Sequence, residues 1–321
     1  MFTWLDLKQA QKSIYQYMPC TPQYSWPLLN ERVGKTVWVK HENHTPTGAF
    51  KIRGGLLHLL RLKSQGFNGG LITATRGNHG QSIALAGRKT GIAVTIIVPE
   101  GNSSEKNAAM RALGAELIIH GQDFDEARVK AAELSRSRNL TPVASFHVDL
   151  VTGVATYAYE FFTNTPELDK VYVGIGMGSG ICGLIRTRDL LGLSTKIIGV
   201  VSTNAPAMAL SVKQGHVVQT DTATTFADGV ACRQPDAAAF EIIKNGADHI
   251  VQVSDDEIKT AMRVYYTDTH NLAEGAGAIG LAGMMQEVKA GKNDDHDLLG
   301  TILSGGNIDM DIFADIISLK S

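Results

Sequence analysis

"TPTGAFKIRGG", residues 45–55, places a lysine among apolar neighbours. Lys51 lies between Phe50 and Ile52, and glycines flank this short stretch on both sides. An ammonium group is costly to bury without a partner, so a lysine in this setting requires a chemical reason. Two interpretations are open here: a lysine whose function depends on burial, or one whose stem lies along a helix while its ammonium reaches water.

Composition limits the classes of protein that this chain can belong to. Of 321 residues, 44% are hydrophobic and 19% are charged, which predicts a globular protein of about two domains. A formal net charge of -2 argues against a nucleic-acid partner, because no large basic field is present. The charged residues near the start argue against a signal peptide, and no apolar run is long enough to cross a bilayer. Three scattered cysteines, at 20, 182 and 232, fit a reducing compartment, so we expect a cytoplasmic protein with no membrane partner.

Short β-branched runs alternate with helical patterns along the chain. "GLITAT" (70–75), "KVYVGIG" (170–176) and "KIIGVVS" (196–202) are typical of buried strands, and each precedes a helical pattern. This alternation predicts an α/β fold of parallel sheets flanked by helices. Ser254 and Glu257 predict a capping box at the start of a late helix. We expect two α/β lobes with a ligand between them, at the carboxyl ends of strands.

A first glycine-containing loop, "TRGNHGQ" at 75–81, joins a predicted strand to a predicted helix. Its glycines allow a tight turn, and the free N–H groups at the helix start can bind a carboxylate or a phosphate. Asn78 adds an amide donor and His79 a polar ring. Read alone, the segment is equally compatible with an ordinary tight connection.

A second loop, "GIGMGSGICG" at 174–183, has the same position between strand and helix. Gly176, Gly178 and Gly180 leave room for a phosphate against successive amides, and Ser179 adds a hydroxyl. No Gly-Lys-Ser/Thr follows, and no acidic residue lies where a dinucleotide's ribose would need one, so a phosphate site is favoured over an NAD site. A third loop, "SGGNID" at 304–309, is by itself more typical of a turn.

Together these elements describe a pyridoxal phosphate pocket: a phosphate cup, a lysine in an apolar niche and polar groups for a heteroaromatic ring. The chain resembles the fold-type II pyridoxal-phosphate enzymes, specifically the serine/threonine dehydratase and serine racemase group. Six motifs carry the resemblance, in the family's order and spacing: "TGAFKIRGG", "GNHGQ", the glycine loop 176–180, "FADGV" (226–230), "EGAGA" (274–278) and "SGGN" (304–307).

The resemblance implies a two-domain fold of the tryptophan synthase β type. Residues 1–63 with 147–321 would form a large cofactor-binding domain, and 64–146 a small α/β domain closing over the cleft. It also implies a homodimer. The chain ends soon after "SGGN", at Ser321, so we expect no C-terminal regulatory domain and a catabolic role.

The resemblance also assigns a role to each residue of the site. Lys51 would bond covalently to the cofactor's aldehyde, and burial beside Phe50 and a helix start would favour its neutral amine. Asn78 would contact the ring hydroxyl and Ser304 the ring nitrogen, and Glu274 would either hold the ring or serve only as a helix-start carboxylate. The other expected cofactor contacts are Phe50, Gly176, Met177, Gly178, Ser179, Gly180 and Gly229. The expected contacts to the carboxylate of an amino acid substrate are Thr75, Arg76, Gly77, Asn78 and His79.

The expected reaction is elimination of water from a β-hydroxy amino acid, giving a 2-oxo acid and ammonia. A hydroxyl at Ser304 does not force the ring nitrogen to stay protonated, which disfavours transamination. Threonine, serine and 3-hydroxyaspartate are the candidate substrates. A serine racemase-like enzyme, a β-replacement enzyme and a non-catalytic cofactor-binding relative are the alternatives.

Several positions depart from the family pattern. Arg76 replaces the serine that racemases of the group carry, which argues against racemisation. Val201 and Ala207 occupy the places of the group's metal-binding glutamate and aspartate, so we expect no metal there; Cys232 replaces a serine. Arg76 could pair with a second substrate carboxylate, as in 3-hydroxyaspartate, or could face solvent.

"HENH", at 41–44, is not expected to bind a metal, because an extended approach to a loop gives its two histidines no shared face. Thr45 and Thr47 are instead expected to cap the helix that carries Lys51.

Overall fold

The computed structural model describes residues 1–318 as a mixed α/β protein with two mainly parallel sheets flanked by helices. The helices are α1 (Trp4–Ile14), α2 (Pro27–Val33), α3 (Lys51–Ser64), α4 (Asn78–Thr90), α5 (Ser104–Ala112), α6 (Phe124–Ser137), α7 (Val148–Thr163), α8 (Ser179–Leu191), α9 (Ala207–Gln214), α10 (Ala237–Gly246), α11 (Asp255–Thr269), α12 (Gly275–Lys289) and α13 (Met310–Ser318). The strands are β1 (Gln23–Ser25), β2 (Thr36–His41), β3 (Gly70–Ala74), β4 (Val94–Val98), β5 (Glu116–Ile119), β6 (Leu140–Pro142), β7 (Lys170–Gly174), β8 (Lys196–Ser202), β9 (His249–Val253) and β10 (Leu298–Leu303). The predicted fold class is confirmed.

The larger sheet has six strands in the order β1-β2-β10-β7-β8-β9. Its strands are parallel except β1, which pairs antiparallel with β2 at the edge. Every residue of β8 except the first is buried, as expected for a central strand covered on both faces. The carboxyl ends of β7 and β10 therefore lie side by side, and both precede loops singled out above.

The smaller sheet contains β5, β4, β3 and β6 in that spatial order, all parallel. It is built from residues between 70 and 142, so the chain leaves the large sheet after β2 and returns before β7. Helices α3 and α7 lie on these two crossings and pack against each other. The domain limits at 64 and 146 stay a prediction, although the sheet lies within them.

Separate apolar clusters stabilise the two sheets. In the large sheet, β-branched side chains of β7 and β8 pack between α8 on one face and α12 on the other. In the small sheet, Ile83 of α4 packs with Leu71 of β3 and Ile96 of β4. Burial of such side chains contributes roughly 1.5–3 kcal/mol each, which explains why the apolar runs predicted these strands correctly.

Local signals account for several helix boundaries. Ser254 and Glu257 form the expected capping box of α11. The prediction that Thr45 and Thr47 cap α3 is wrong, because α3 has no side-chain cap and the Thr45 hydroxyl instead bonds to the backbone of Ala49, donating at 2.8 Å and accepting at 2.9 Å. Within "HENH", only His41 is extended, as the last residue of β2, and Glu42–His44 forms a 3₁₀ turn. Among residues 1–318, no helix combines the length and hydropathy needed to span a membrane.

Candidate active site

A cleft between the two sheets holds the residues that the sequence singled out. One cavity, called the cofactor cavity below, lies at the carboxyl ends of β7 and β10. All of the expected cofactor contacts line it: Phe50, Lys51, Asn78, Gly176, Met177, Gly178, Ser179, Gly180, Gly229, Glu274 and Ser304. Tyr157, Val230 and Ala276 also line it. Residues that are far apart in the sequence, from Phe50 to Ser304, therefore meet in one cavity, as expected at the carboxyl ends of parallel strands.

Lys51 is the first residue of α3 and projects into this cavity. Its ammonium lies 5.5 Å from the ring centroid of Phe50, whose ring packs edge-on against Tyr157. Burial lowers the pKa of Lys51, against the opposing negative charges of Glu274 and Asp228. The site thus favours the neutral amine that can attack a carbonyl carbon.

The α3 start is held in place by hydrogen bonds on both sides of Lys51. The N–H of Phe50 donates to the Ser304 carbonyl at 3.0 Å, and the Ser82 hydroxyl donates to the Lys51 carbonyl at 2.6 Å. These bonds connect the lysine backbone to the loop after β10 and to α4. The amine is therefore presented from a rigid element.

The glycine loop at 176–180 forms a cradle at the start of α8. Gly178 is the residue before the helix, has φ +100°, and leaves the helix N-terminus without a side-chain cap. A Cβ on Gly176 would lie 2.3 Å from the backbone oxygen of Gly229, so only glycine permits this approach. Uncapped N–H groups at a helix start, beside backbone with no side chain in the way, provide an anion site.

An ionic network connects the two sheets above this cradle. The Asn78 amide donates to Glu274 at 2.5 Å, and Lys106 of α5 lies 3.2 Å from Glu274 and 2.7 Å from Asp228. Asn307 donates to the Asn78 oxygen at 2.8 Å, which fixes the orientation of that amide. Glu274 is only 3% exposed, and burial raises its pKa while the charge of Lys106 opposes that rise.

Sequence reasoning missed Lys106. The residue lies within the charged pattern "SEKNAAMRALGA", which resembles the exposed face of a surface helix, yet Lys106 is 6% exposed. Its neighbours' negative charges raise the pKa of Lys106 in spite of burial, so it stays cationic. The motif "FADGV" could have indicated that such a lysine was needed, because its aspartate, Asp228, requires a cationic partner when it lies in a cleft.

Ser304 lines the cofactor cavity directly after β10. Its hydroxyl donates to the Ala276 carbonyl at 3.0 Å, which leaves oxygen lone pairs available as acceptors. A hydroxyl can also reverse its role and donate to a ring nitrogen. The residue is therefore placed and equipped as the resemblance implied, although its role stays a prediction.

The residues expected to bind substrate lie in different environments. Thr75 and His79 are buried, and the Thr75 hydroxyl accepts a hydrogen bond from the N–H of Gly77 at 3.0 Å. Burial lowers the pKa of His79 to about 3, so its ring is neutral. Neither of these two side chains lines the cofactor cavity, so any contact to a substrate carboxylate would come from backbone N–H groups at the start of α4.

Arg76 is exposed and lines a second, outer cavity. Lys106, Asp228 and Glu274 line the same cavity, and Glu274 is shared with the cofactor cavity. Gly77 lies against the Lys106 side chain: a Cβ there would be 2.4 Å from its Cδ. The outer cavity is thus a charged approach to the inner one.

Cys232, which replaces a family serine, lies beside the phosphate cradle. Its thiol is 3.5 Å from the sulfur of Met177 and donates to the Gln234 carbonyl at 3.2 Å. Burial raises the pKa of Cys232 to about 11, so the thiol stays protonated.

The donor set fits pyridoxal phosphate. The glycine loop at 176–180, which Cβ atoms would obstruct, has room for a phosphate, and the buried amine of Lys51 can react with an aldehyde. Asn78, Glu274 and Ser304 offer polar contacts to a ring. A model of the family described as "Pyridoxal-phosphate dependent enzyme" matches residues 14–305. The chain belongs to this family, and its cofactor is pyridoxal phosphate.

Within the family, the chain is similar to proteins named for action on threonine. It is 32% identical over 320 residues to the L-threonine ammonia-lyase of Thermotoga maritima, covering 99% of this chain and 79% of that one. It is also 32% identical over 296 residues to the L-threonine dehydratase biosynthetic IlvA of Pasteurella multocida, covering 92% of this chain. The chain spans 58% of the length of that second relative.

Solved structures share the fold closely. The processed form of threonine deaminase isoform 2 from Solanum lycopersicum superposes with a TM-score of 0.90 at 29% identity, covering 99% of this chain and 95% of that chain. A pyridoxal 5'-phosphate-dependent aspartate racemase has a TM-score of 0.90 at 25% identity, covering 96% and 97%. The same fold therefore carries more than one reaction, so the function must be argued from the site.

Proposed function

We propose that this chain is a pyridoxal-phosphate-dependent ammonia-lyase that eliminates water from a β-hydroxy amino acid. The products are a 2-oxo acid and ammonia, and threonine, serine and 3-hydroxyaspartate are the candidate substrates. The observation that carries the proposal is the buried amine of Lys51 in the cavity that the uncapped start of α8 also lines. Similarity to ammonia-lyases named for threonine supports the reaction class.

The chain's own residues supply binding and proton transfer. The N–H groups at the start of α4 bind the substrate carboxylate, and those at the start of α8 bind the cofactor phosphate. Bound pyridoxal phosphate supplies an aldehyde for covalent attachment and a ring that withdraws electrons from the substrate Cα. Lys51, whose pKa is lowered by burial, accepts the Cα proton and can return it to the β-hydroxyl, which then leaves as water. Addition of one water to the unsaturated amine that remains gives the 2-oxo acid and ammonia. Asn78 and Glu274 orient the ring, and Ser304 meets its nitrogen.

The proposal is tested with purified holoenzyme and its Lys51→Ala variant. We expect wild-type protein to release 2-oxo acid and ammonia from at least one of the three substrates, and the variant to be slower by at least about a hundredfold. Lys63→Ala, in an exposed position later in α3, is the matched control and should retain activity. Equal rates in wild type and Lys51→Ala would contradict the proposal.

Other products would identify the alternatives. Formation of the enantiomer favours a racemase, and product only with an added thiol favours β-replacement. A change in cofactor absorbance without product favours a non-catalytic binding protein. Arg76 in place of serine supports elimination over racemisation, because the second-face base is missing.

Arg76 further suggests a dicarboxylic substrate. The residue lies exposed in the outer cavity, where a guanidinium can pair bidentately with a carboxylate. We expect Arg76→Ala to lower kcat/KM for 3-hydroxyaspartate by about tenfold or more while leaving threonine and serine nearly unchanged. Arg111→Ala, in the exposed last turn of α5, is the control. An unchanged order of preference would remove this hypothesis.

We also propose that residues 64–146 close over the cleft and that the chain forms a cytoplasmic homodimer. Closure is supported by the bonds of Asn78 and Lys106 to Glu274, which join the two sheets across the cleft. Small-angle scattering with and without substrate should report a smaller radius of gyration when substrate binds.

For the dimer, light scattering should give twice the 34.5 kDa chain mass, and a single-chain mass would rule out the dimer.

A further inference from the structure

A cluster of metal-ligating side chains lies outside both cavities, where α3 meets α7. It consists of His58, His147 and Asp149, whose ligand atoms all lie within 4.8 Å of one another. Among the described residues 1–318, no other group of three or more such side chains has metal-like spacing. We propose that His58, His147 and Asp149 bind one divalent transition-metal ion of the Zn²⁺ type.

The distances are close to those of a tetrahedral site. Asp149 Oδ2 lies 3.0 Å from His58 Nδ1 and 3.6 Å from His147 Nδ1. Two ligands bound to zinc at its usual bond lengths are about 3.4 Å apart. The two imidazole ring centroids lie 4.8 Å apart, and metal binding would require the more exposed His147 ring to rotate so that its ligand nitrogen approaches the other two ligand atoms.

The surroundings hold the carboxylate in the required orientation. Arg61 bonds to the other carboxylate oxygen, Asp149 Oδ1, and leaves Oδ2 facing the two histidines. Asp6 lies 3.8 Å from Arg61 and reduces the net positive charge beside the site. Side-chain exposures of 13% for His58 and 14% for Asp149, against 46% for His147, leave one open side for entry and for a water ligand.

The ligand types select the metal. Two imidazoles and one carboxylate suit Zn²⁺, Co²⁺, Ni²⁺ or Cu²⁺, whereas Mg²⁺ and Ca²⁺ require mostly oxygen ligands.

The position of the three ligands means that a bound ion would connect two segments of the chain. His58 lies on the chain's first crossing between the sheets, and His147 and Asp149 lie on the second. A bound ion would join both crossings and stiffen the helix that begins with Lys51.

The test uses tag-free holoenzyme titrated with ZnCl₂ by calorimetry and with CoCl₂ by visible absorption. We expect one ion per chain, a tetrahedral Co²⁺ spectrum, and no competition from excess Mg²⁺. His58→Gln and Asp149→Asn should each weaken Zn²⁺ binding at least tenfold. His147→Asn should do the same while keeping an acceptor for the Asp149 N–H that His147 now caps. His296→Gln, an exposed histidine elsewhere, should bind as wild type.

A second measurement needs no variant. Zn²⁺ should protect His58 and His147 of the wild-type chain from diethyl pyrocarbonate, measured by peptide mass spectrometry, and leave His216 and His296 reactive. Equal affinity in wild type and all three variants, or equal modification of the four histidines with and without Zn²⁺, would overturn the proposal. Because the readout is metal binding, it is independent of catalysis.

Discussion

The side-chain amide of Asn78 donates a 2.5 Å hydrogen bond to Glu274, joining the first residue of α4 to the residue before α12. Residues almost two hundred positions apart thereby form one wall of the cofactor cavity. Lys106 completes the arrangement by contacting the second oxygen of the same carboxylate. This wall of the cofactor cavity is thus charged, buried and shared between the two sheets.

Removal of Lys106 should leave two carboxylates without their counter-ion. We expect Lys106→Met to destabilise the protein by about 3–5 kcal/mol, because Glu274 stays buried next to Asp228. We also expect kcat/KM to fall by at least tenfold, as Glu274 takes up a proton and no longer orients Asn78. Denaturant unfolding and steady-state kinetics measure the two effects.

The control for this change is Lys130→Met, in the exposed Lys130–Glu133 pair of α6. An exposed pair contributes at most about 1 kcal/mol, so stability and activity should stay near wild type. If Lys106→Met behaved like Lys130→Met, Lys106 would have no positioning role.

The phosphate cradle should not tolerate a side chain at Gly176. A Cβ there would lie 2.3 Å from the Gly229 oxygen, and neither backbone can yield without moving a loop of the cavity. We expect Gly176→Ala to weaken pyridoxal phosphate binding at least tenfold, measured by cofactor titration of the apoenzyme. Gly69→Ala, an exposed position before β3, should bind the cofactor normally. Unchanged affinity in Gly176→Ala would place the phosphate elsewhere.

A buried network of four charges supports α3, the helix that begins with Lys51. Arg53 pairs with Glu42 at 2.7 Å and with Glu160 at 2.6 Å, and Lys40 also pairs with Glu160 at 2.6 Å. We expect Arg53→Met to cost about 3–5 kcal/mol of unfolding free energy, because it leaves two buried carboxylates facing one lysine.

Arg138→Met, in the half-exposed pair with Glu116, is the comparison and should cost at most about 1 kcal/mol. Urea unfolding of both variants measures the difference. A loss of under 1 kcal/mol in Arg53→Met would mean that the network contributes little to stability.

The same network predicts an acid dependence of stability. Burial works against ionisation of Glu160, but Arg53 and Lys40 lower its pKa from 4.5 to about 2. A carboxyl group with a lowered pKa in the folded state stabilises the fold above pH 4.5, and this contribution is lost as the pH falls towards 2. The stability difference between wild type and Glu160→Gln should therefore shrink by about 2 kcal/mol from pH 6 to pH 3. A difference that is constant with pH would show that Glu160 is not held ionised.

Much of the fold could be predicted from local pattern. Buried strands such as β3 and β8 are continuous apolar runs, and α4 and α8 begin next to glycines, so their positions follow from short stretches of sequence. Short or half-buried elements are harder to predict from the sequence. β1, β6 and β9 carry polar residues, and their pairing depends on neighbours far along the chain.

The sequence by itself determined the class of cofactor and the residues that line the cofactor cavity. Lys51 among apolar neighbours, the glycines at 176–180 and the serine after the last strand are local requirements of the chemistry, and each is readable from a few adjacent residues. Tertiary structure alone decided the ionic partners. Lys106, Glu42 and Glu160 look like surface charges in the sequence, and folding buries each beside an opposite charge from a distant segment. The physical reason is that burying a charge depends on which segment supplies its partner, and no local pattern records that pairing.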